Sequence, residues 1–236
     1  MKRFWKEVAT APDGDGWRIL LDGRAVRTQG GNAQILPTAA LAQTMAGEWR
    51  HQGEEIDPRA LPMRDMADYA IDHISAHPGE IVDTLLRYID TDTLCYRADP
   101  EDALFERQQT LWEPILMAFE ARHDLRLTRV SGVGHRPHPQ TSMDRLRAVL
   151  TGQDAFALSA LNVLTTLAAS LSAALTVMET DAEPATLFAA ANAEEDWQAE
   201  LWGWDLLAEE NRALRLKAFE TAAEFLRLSQ GHLSEG

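Results

Sequence analysis

The stretch Trp17-Arg18-Ile19-Leu20-Leu21-Asp22-Gly23-Arg24-Ala25-Val26-Arg27-Thr28 decides how the first part of the chain folds. Apolar residues alternate along residues 17–21, which is the two-residue period of a half-buried β-strand. Asp22-Gly23 is a two-residue hairpin signal, because both residue types tolerate the positive φ angles of such a turn. Residues 24–28 are then expected to return as the partner strand. Turn signals on both sides of this hairpin extend the prediction to a small antiparallel meander.

The pattern changes after Pro37 from alternation to helical spacing. Leu41, Met45 and Trp49 are predicted to share one face of a helix that ends at Gly53. Apolar residues recur at i, i+3, i+4 and i+7 over residues 63–74 and in several later segments. Pro114 is expected to kink or break one of these helices. Residues 125–133 alternate again, as a short strand that could join the N-terminal sheet, and from Gln140 onward only helices are predicted.

The predicted fold class is therefore α+β, with a small antiparallel β-rich N-terminal domain followed by a larger all-helical domain. We place the boundary at Pro78-Gly79, a strong turn signal. Residues 1–78 are expected to form the β-rich domain with one or two helices of its own, and residues 79–236 the helical domain.

Residues 155–178 contain no charged side chain and are long enough to cross a bilayer. Asn162 and several Ser or Thr residues interrupt the stretch, and no basic residue flanks its C-terminal end. We interpret it as one or two helices buried in the protein core, so no stable membrane insertion is expected. The last helix is expected to carry Leu214, Ala218, Ala222 and Phe225 on one side.

The chain has 236 residues and a net charge of −15. Such an acidic protein is a poor partner for nucleic acid, whose phosphates bind Lys and Arg. A single cysteine, Cys95, allows no intramolecular disulfide and no Cys-based zinc site. No apolar run follows the first five residues, so no signal peptide is expected, and the expected location is a bacterial cytoplasm.

Asp90-Thr91-Asp92 is the sharpest candidate for catalysis, because two carboxylates this close could exchange protons with a substrate. The same residue types also cap helical turns, and we favour that structural interpretation. His135 and His138 lie in a proline-rich loop without a neighbouring acid, which is weak evidence for a metal. We therefore predict no catalytic residue, no metal and no cofactor, while an enzyme that uses Asp90 and Asp92 in a cleft stays an alternative.

The segment Glu194-Glu195-Asp196-Trp197-Gln198 combines acidic residues with an aromatic one, and Leu201-Trp202-Gly203-Trp204-Asp205 follows it. Exposed tryptophans supply large contact areas in protein interfaces, and carboxylates select a partner that bears arginine. The carboxylates have no base nearby in sequence before Arg212, so we expect them to be unpaired. The same pattern also fits a solvated acidic helix face whose tryptophans point inward, and the residues alone leave both interpretations open.

Several segments resemble one family when they are taken in order. They are Arg3-Phe4-Trp5-Lys6-Glu7-Val8, residues 21–28, Ile35-Leu36-Pro37-Thr38, Glu48-Trp49, Gly53-Glu54-Glu55-Ile56-Asp57-Pro58, residues 90–98 and residues 198–203. The chain resembles the assembly chaperone of the F-type ATP synthase that binds the alpha subunit of the catalytic sector. The resemblance extends nearly from end to end, and mitochondrial relatives carry a targeting extension that is not seen here.

The resemblance implies a chaperone rather than an enzyme. Its expected partner is the unassembled alpha subunit, which it shields until the beta subunit replaces it. By this resemblance, Glu194 and Glu195 are the expected client-binding residues, with Trp197 and Trp202 as aromatic contacts. Trp49, which follows Glu48 in the family's Glu-Trp pair, is expected to support the fold. A general acidic binding module with another client stays a second alternative.

Overall fold

The computed structural model describes residues 1–132, 134–203 and 205–231. Its N-terminal part contains an antiparallel sheet of three strands in the order β1-β2-β3: β1 (Val8–Asp13), β2 (Gly16–Leu21) and β3 (Arg24–Ala25). Leu21 pairs with Arg24, so the hairpin loop is the two residues Asp22 and Gly23, with φ angles of 48° and 78°. The predicted hairpin is confirmed, although its second strand ends at Ala25 and not at Thr28.

On one side of the sheet, the backbone of β2 at Trp17 pairs with the backbone at Leu36. Trp17 and Leu36 exchange backbone hydrogen bonds of 2.8 Å in both directions. A Cβ atom added to Gly16 would lie 2.5 Å from the Ile35 side chain and 2.8 Å from the Leu36 carbonyl oxygen. Only glycine therefore fits at the start of β2 without a shift of its neighbours.

Ten α-helices follow within the described residues: α1 (Ala39–Arg50), α2 (Pro62–Tyr69), α3 (Pro78–Ile89), α4 (Ala103–His123), α5 (Gln140–Thr151), α6 (Ala155–Ala168), α7 (Leu171–Glu179), α8 (Pro184–Ala191), α9 (Ala193–Trp202) and α10 (Leu206–Ser229). The small antiparallel sheet and the helical remainder confirm the predicted α+β class. Pro114 lies inside α4 without ending it. The uncharged stretch forms α6 and α7, in which Leu158, Leu161, Leu164, Leu171 and Leu175 are buried.

The short strand predicted near residue 130 exists, but it does not join the N-terminal sheet. Strand β5 (Val130–Ser131) pairs in parallel with β4 (Tyr96–Arg97), as a ladder of two residues each. Val133, the last residue of the predicted strand, lies outside the described residues. Parallel strands are not joined by a tight turn, so no turn signal in the sequence could predict that β4 and β5 pair.

The chain divides into two compact units. The first contains Met1–Pro78 together with Asp154–Ala160 and the residues from Glu224 onward, and the second contains Gly79–Gln153 and Leu161–Ala223. Helices α6 and α10 thus each contribute residues to both units. Domains at residues 1–78 and 79–236 stay a prediction about how the chain is organised.

Trp49 lies in the core of the first unit. Leu41, Met45 and Trp49 share the buried face of α1, and the Trp49 ring is 8% exposed. It meets the Trp5 ring edge to face, with centroids 5.3 Å apart. This environment supports the proposed structural role of Trp49.

Glu48, the neighbour of Trp49, links α1 to the start of α2. Its two carboxylate oxygens accept the backbone N–H groups of Met63 at 2.8 Å and Arg64 at 3.1 Å. These are N–H groups of the first turn of α2, which has no side-chain cap of its own. Burial raises the pKa of Glu48 to about 7, against the lowering effect of the two N–H donors.

We expect Trp49→Arg to lower the free energy of unfolding by about 3 to 5 kcal/mol, because it places a charge where an aromatic ring packs. Trp49→Phe is the matched control. The indole nitrogen of Trp49 has no hydrogen-bond partner among the residues that the structure describes, so phenylalanine loses packing but none of these hydrogen bonds. Thermal and urea denaturation measure both variants. A wild-type melting temperature for Trp49→Arg would contradict the structural role.

We also expect stability to fall as pH rises from about 5 to 8. A carboxyl group whose pKa is higher in the folded state favours folding when protonated, and this contribution is lost as the pH passes through the folded-state value. The loss attributable to Glu48 is up to about 3 kcal/mol. Glu48→Gln removes the titration, so its urea midpoint should depend less on pH than that of the wild type. An unchanged pH slope would refute the assignment to Glu48.

Candidate functional site

Helices α9 and α10 form a pair that ion pairs hold together. Asp196 accepts two hydrogen bonds from the Arg212 guanidinium, at 2.9 and 3.1 Å. Glu195 pairs with Arg215 and lies 3.9 Å from Arg212. The Arg212 guanidinium also lies 4.5 Å from the centre of the Phe188 ring. The first turns of α10 are thus fixed by charge as well as by packing.

The expectation that Glu194 and Glu195 are both unpaired is wrong for Glu195. Its partner Arg215 lies 20 residues away in sequence and is brought close only by the turn between α9 and α10. Glu194 points to solvent, and no ion pair or side-chain hydrogen bond involves it in the described part of the chain. The two neighbouring carboxylates therefore differ in their surroundings.

The two tryptophans of α9 also differ. Trp197 is half-buried, and the Arg107 guanidinium of α4 lies 5.5 Å from its ring centre. Glu200 accepts two hydrogen bonds from the same guanidinium, so Arg107 ties α4 to α9. Trp202 is 79% exposed at the last residue of α9. Trp204 lies outside the described residues.

Large apolar side chains surround the turn between the two helices. We call Leu201, Trp202, Leu206 and Leu207 the tip surface; each is more than half exposed. Leu214, two turns further along α10 on the predicted side of the last helix, is 65% exposed. Ala222 and Phe225 of that predicted side are buried.

The tip surface is unusual because soluble monomers bury most side chains of this size. Of the tip residues, Trp202 was predicted from the sequence as a contact residue, whereas Leu206 and Leu207 were not. The sequence signal for these two residues was the neighbouring acidic pair Glu209-Glu210, which indicates an exposed helix start. Helical spacing alone does not assign Leu206 and Leu207 to core or surface. Carboxylates border the tip, and Glu209 and Glu210 are exposed without an ion pair among the described residues. The arrangement suits an apolar partner that bears arginine or lysine.

The catalytic alternative is not supported by the positions of Asp90 and Asp92. Asp92 is fully buried and accepts hydrogen bonds from the backbone N–H groups of Leu94 and Ser172 and from the Ser170 hydroxyl, at 2.8 to 3.1 Å. Burial raises the pKa of Asp92, and these donors act against that shift. Asp92 therefore joins the turn at residues 93–95 to the start of α7. Asp90 instead lines an open polar groove.

The two histidines do not meet at a metal site. His138 is buried; its Nδ1 accepts the Thr128 N–H at 2.9 Å, and its Nε2 donates to the Ile89 carbonyl at 2.7 Å. His135 is exposed and contacts the Tyr96 hydroxyl at 2.8 Å. Among the residues that the structure describes, no cluster of three or more His, Cys, Asp or Glu could hold a metal ion. Within the same residues, no helix is both long and apolar enough to span a membrane.

Comparison with solved structures relates nearly the whole chain to two bacterial proteins. Atp12 from Paracoccus denitrificans is 36% identical, with a TM-score of 0.90 over 97% of this chain and 98% of that one. The Atu1473 protein from Agrobacterium tumefaciens is 34% identical, with a TM-score of 0.92 over 96% of this chain and 85% of that one. Both alignments include α9 and α10, since they leave out only a few residues of this chain.

Sequence comparison agrees. The mitochondrial protein atp12 of Schizosaccharomyces pombe is 27% identical over 214 residues, which are 86% of this chain and 74% of the relative. The mitochondrial protein ATP12 of Saccharomyces cerevisiae is 30% identical over 142 residues, half of this chain and 44% of the relative. The model of the ATP12 chaperone protein family matches residues 2–120. The chain therefore belongs to the ATP12 chaperone family, the ATP synthase assembly chaperones that its sequence resembles, and membership supports a chaperone role rather than an enzymatic one.

Proposed function

We propose that this chain binds the unassembled alpha subunit of the F-type ATP synthase catalytic sector and shields the surface that later contacts the beta subunit. The observation that carries the proposal is the tip surface, four large apolar side chains exposed at the end of α9 and the start of α10. An apolar surface of this kind is expected where a protein binds a partner. Family membership supports the choice of an ATP synthase subunit as that partner.

The tip surface suits reversible capture. Burying apolar surface stabilises a complex by about 25 cal/mol per Å² before the costs of association, so a few side chains support moderate affinity only. Trp202 is the expected centre of the contact, because tryptophan is enriched among residues that dominate interface energies. A beta subunit that buries a larger area on the same client would displace the chaperone. This exchange requires no nucleotide hydrolysis by the chaperone.

The free carboxylates of α9 and α10 are expected to orient the client. Glu194, Glu209 and Glu210 are exposed and form no ion pair in the described parts of the chain. Exposed charges contribute more to the rate of encounter and to orientation than to final affinity. Glu195 and Asp196 are already paired with arginines of α10, so we assign them chiefly to holding the tip in place. Trp197 supports α9 from the side of α4.

We place this activity in a bacterial cytoplasm. Support comes from the similarity to proteins of Paracoccus denitrificans and Agrobacterium tumefaciens over almost the whole chain. The named mitochondrial relatives are expected to do the corresponding work inside that organelle.

We expect Trp202→Ser to reduce capture of purified alpha subunit about tenfold or more without a change in melting temperature, because the side chain is exposed. Trp202→Phe keeps an aromatic contact and should restore part of the affinity. Biolayer interferometry with immobilised chaperone measures both variants, and thermal denaturation checks the fold. If Trp202→Ser binds the alpha subunit with wild-type affinity, the tip surface is not part of the contact.

We expect Glu194→Lys to weaken capture about three- to tenfold and to leave folding unchanged. Binding by the wild type should also fall as salt rises, since exposed charges are screened over about 8 to 10 Å at physiological ionic strength. Glu195→Lys should instead lower the melting temperature, because it breaks the pairs with Arg215 and Arg212. Glu220→Lys, an exposed change on α10 beyond the tip, is the control for charge. Equal capture by Glu194→Lys and Glu220→Lys would argue against a role for Glu194.

A further inference from the structure

Helix α4 has an exposed face that carries no charge along three turns. The residues that point outward between positions 110 and 121 are Thr110, Leu111, Pro114, Met117, Ala118 and Ala121. Their spacing places them on one side of the helix, over a length of about 16 Å. Met117 is 59% exposed and Leu111 38%. A solvent-facing helix stripe of this length normally carries charged or strongly polar residues.

The opposite face of α4 already supplies the packing that the fold needs. Trp112, Leu116 and Phe119 are fully buried, and the Trp112 indole donates to the Ala190 carbonyl at 2.6 Å. The apolar residues on the outer face are therefore not the ones that pack α4 against the rest of the protein. Pro114 lacks an N–H group, so the Thr110 carbonyl on this face loses its usual helical donor and can accept a hydrogen bond from a partner.

The α4 face is adjacent to the helix that carries the tip surface. Arg107 lies one turn before Leu111 on the same side of α4, and it holds Glu200 and covers Trp197 of α9. Salt-bridged Arg107 is thus the junction between the α4 face and α9. All of these residues belong to one compact unit of the chain.

The N-terminal end of the α4 face is acidic. Glu101 and Glu106 are exposed, and neither forms an ion pair with any residue that the structure describes. Asp102, between them, accepts the Leu104 N–H at 2.9 Å as the helix cap. A partner that complements this uncharged face and its acidic end has an apolar stretch without charge. At one end of that stretch it carries a basic residue, which would contact Glu106.

We propose that the α4 face is a second docking surface for the alpha subunit, and that its occupant is an apolar segment of that subunit with arginine or lysine at one end. This inference rests on the proposed function, which supplies the identity of the client. The segment would lie along α4 from Ala121 to Thr110, with its basic end beside Glu101 and Glu106. Together with the tip surface it would give the client two separate contacts.

The test uses the full chain and purified alpha subunit. Met117→Lys should lower capture at least fivefold, Met117→Leu should retain it, and Gln43→Lys, an exposed change on α1, should match the wild type. Glu106→Lys should weaken capture and Glu106→Gln should weaken it less. Melting temperatures confirm that each variant folds, and hydrogen exchange of the wild type with and without client should show protection in residues 103–123.

The outcomes separate the two proposals. Loss of capture by Met117→Lys together with protection of α4 supports the second docking surface. If the wild type captures alpha subunit and Trp202→Ser impairs it, whereas Met117→Lys and the α4 amides are unaffected, the α4 proposal is overturned and the proposed function stands. If the wild type itself captures no alpha subunit, both proposals are overturned.

Discussion

Two arginines of α10 hold α9 in place through its carboxylates, and the presentation of the tip surface depends on them. Arg212 binds Asp196 with two hydrogen bonds, and Arg215 pairs with Glu195. A helix pair fixed only by apolar contacts would need its large apolar residues on the inside. These ion pairs join α9 to α10, and Trp202, Leu206 and Leu207 are exposed at the adjoining ends of the two helices.

The excess of acidic residues therefore has two uses in this molecule. Some carboxylates serve the fold, such as Asp92, which joins a turn to α7 from the interior, and Glu48, which caps α2 from α1. Others, such as Glu194 and Glu106, are exposed without an ion pair in the described residues. Glu106 lies one helical turn before Thr110, where the uncharged α4 face begins. A surface of this composition disfavours nucleic acid and favours an apolar partner with basic residues.

Local sequence rules were sufficient for much of the fold. The Asp22-Gly23 turn set the hairpin of β2 and β3, helical spacing located α1 and α2, and the uncharged stretch at residues 155–178 became two helices packed in the interior. The same rules placed Leu41, Met45 and Trp49 on one buried face. These features depend on residues within a few positions of one another, where backbone geometry and period decide the structure. Pro114 is the exception, because α4 continues through it.

The sequence by itself determined the fold class, the family and the segment that carries the acidic and aromatic residues. Only the tertiary structure decided which of those residues are free. Glu195 and Glu194 are neighbours of the same type, yet the turn before α10 brings Arg215 to Glu195 alone. Leu214 fits the spacing of Ala222 and Phe225 along α10, yet it is 65% exposed, whereas Ala222 and Phe225 are buried. Exposure and ion pairing depend on contacts between residues far apart in the chain, which no local pattern contains.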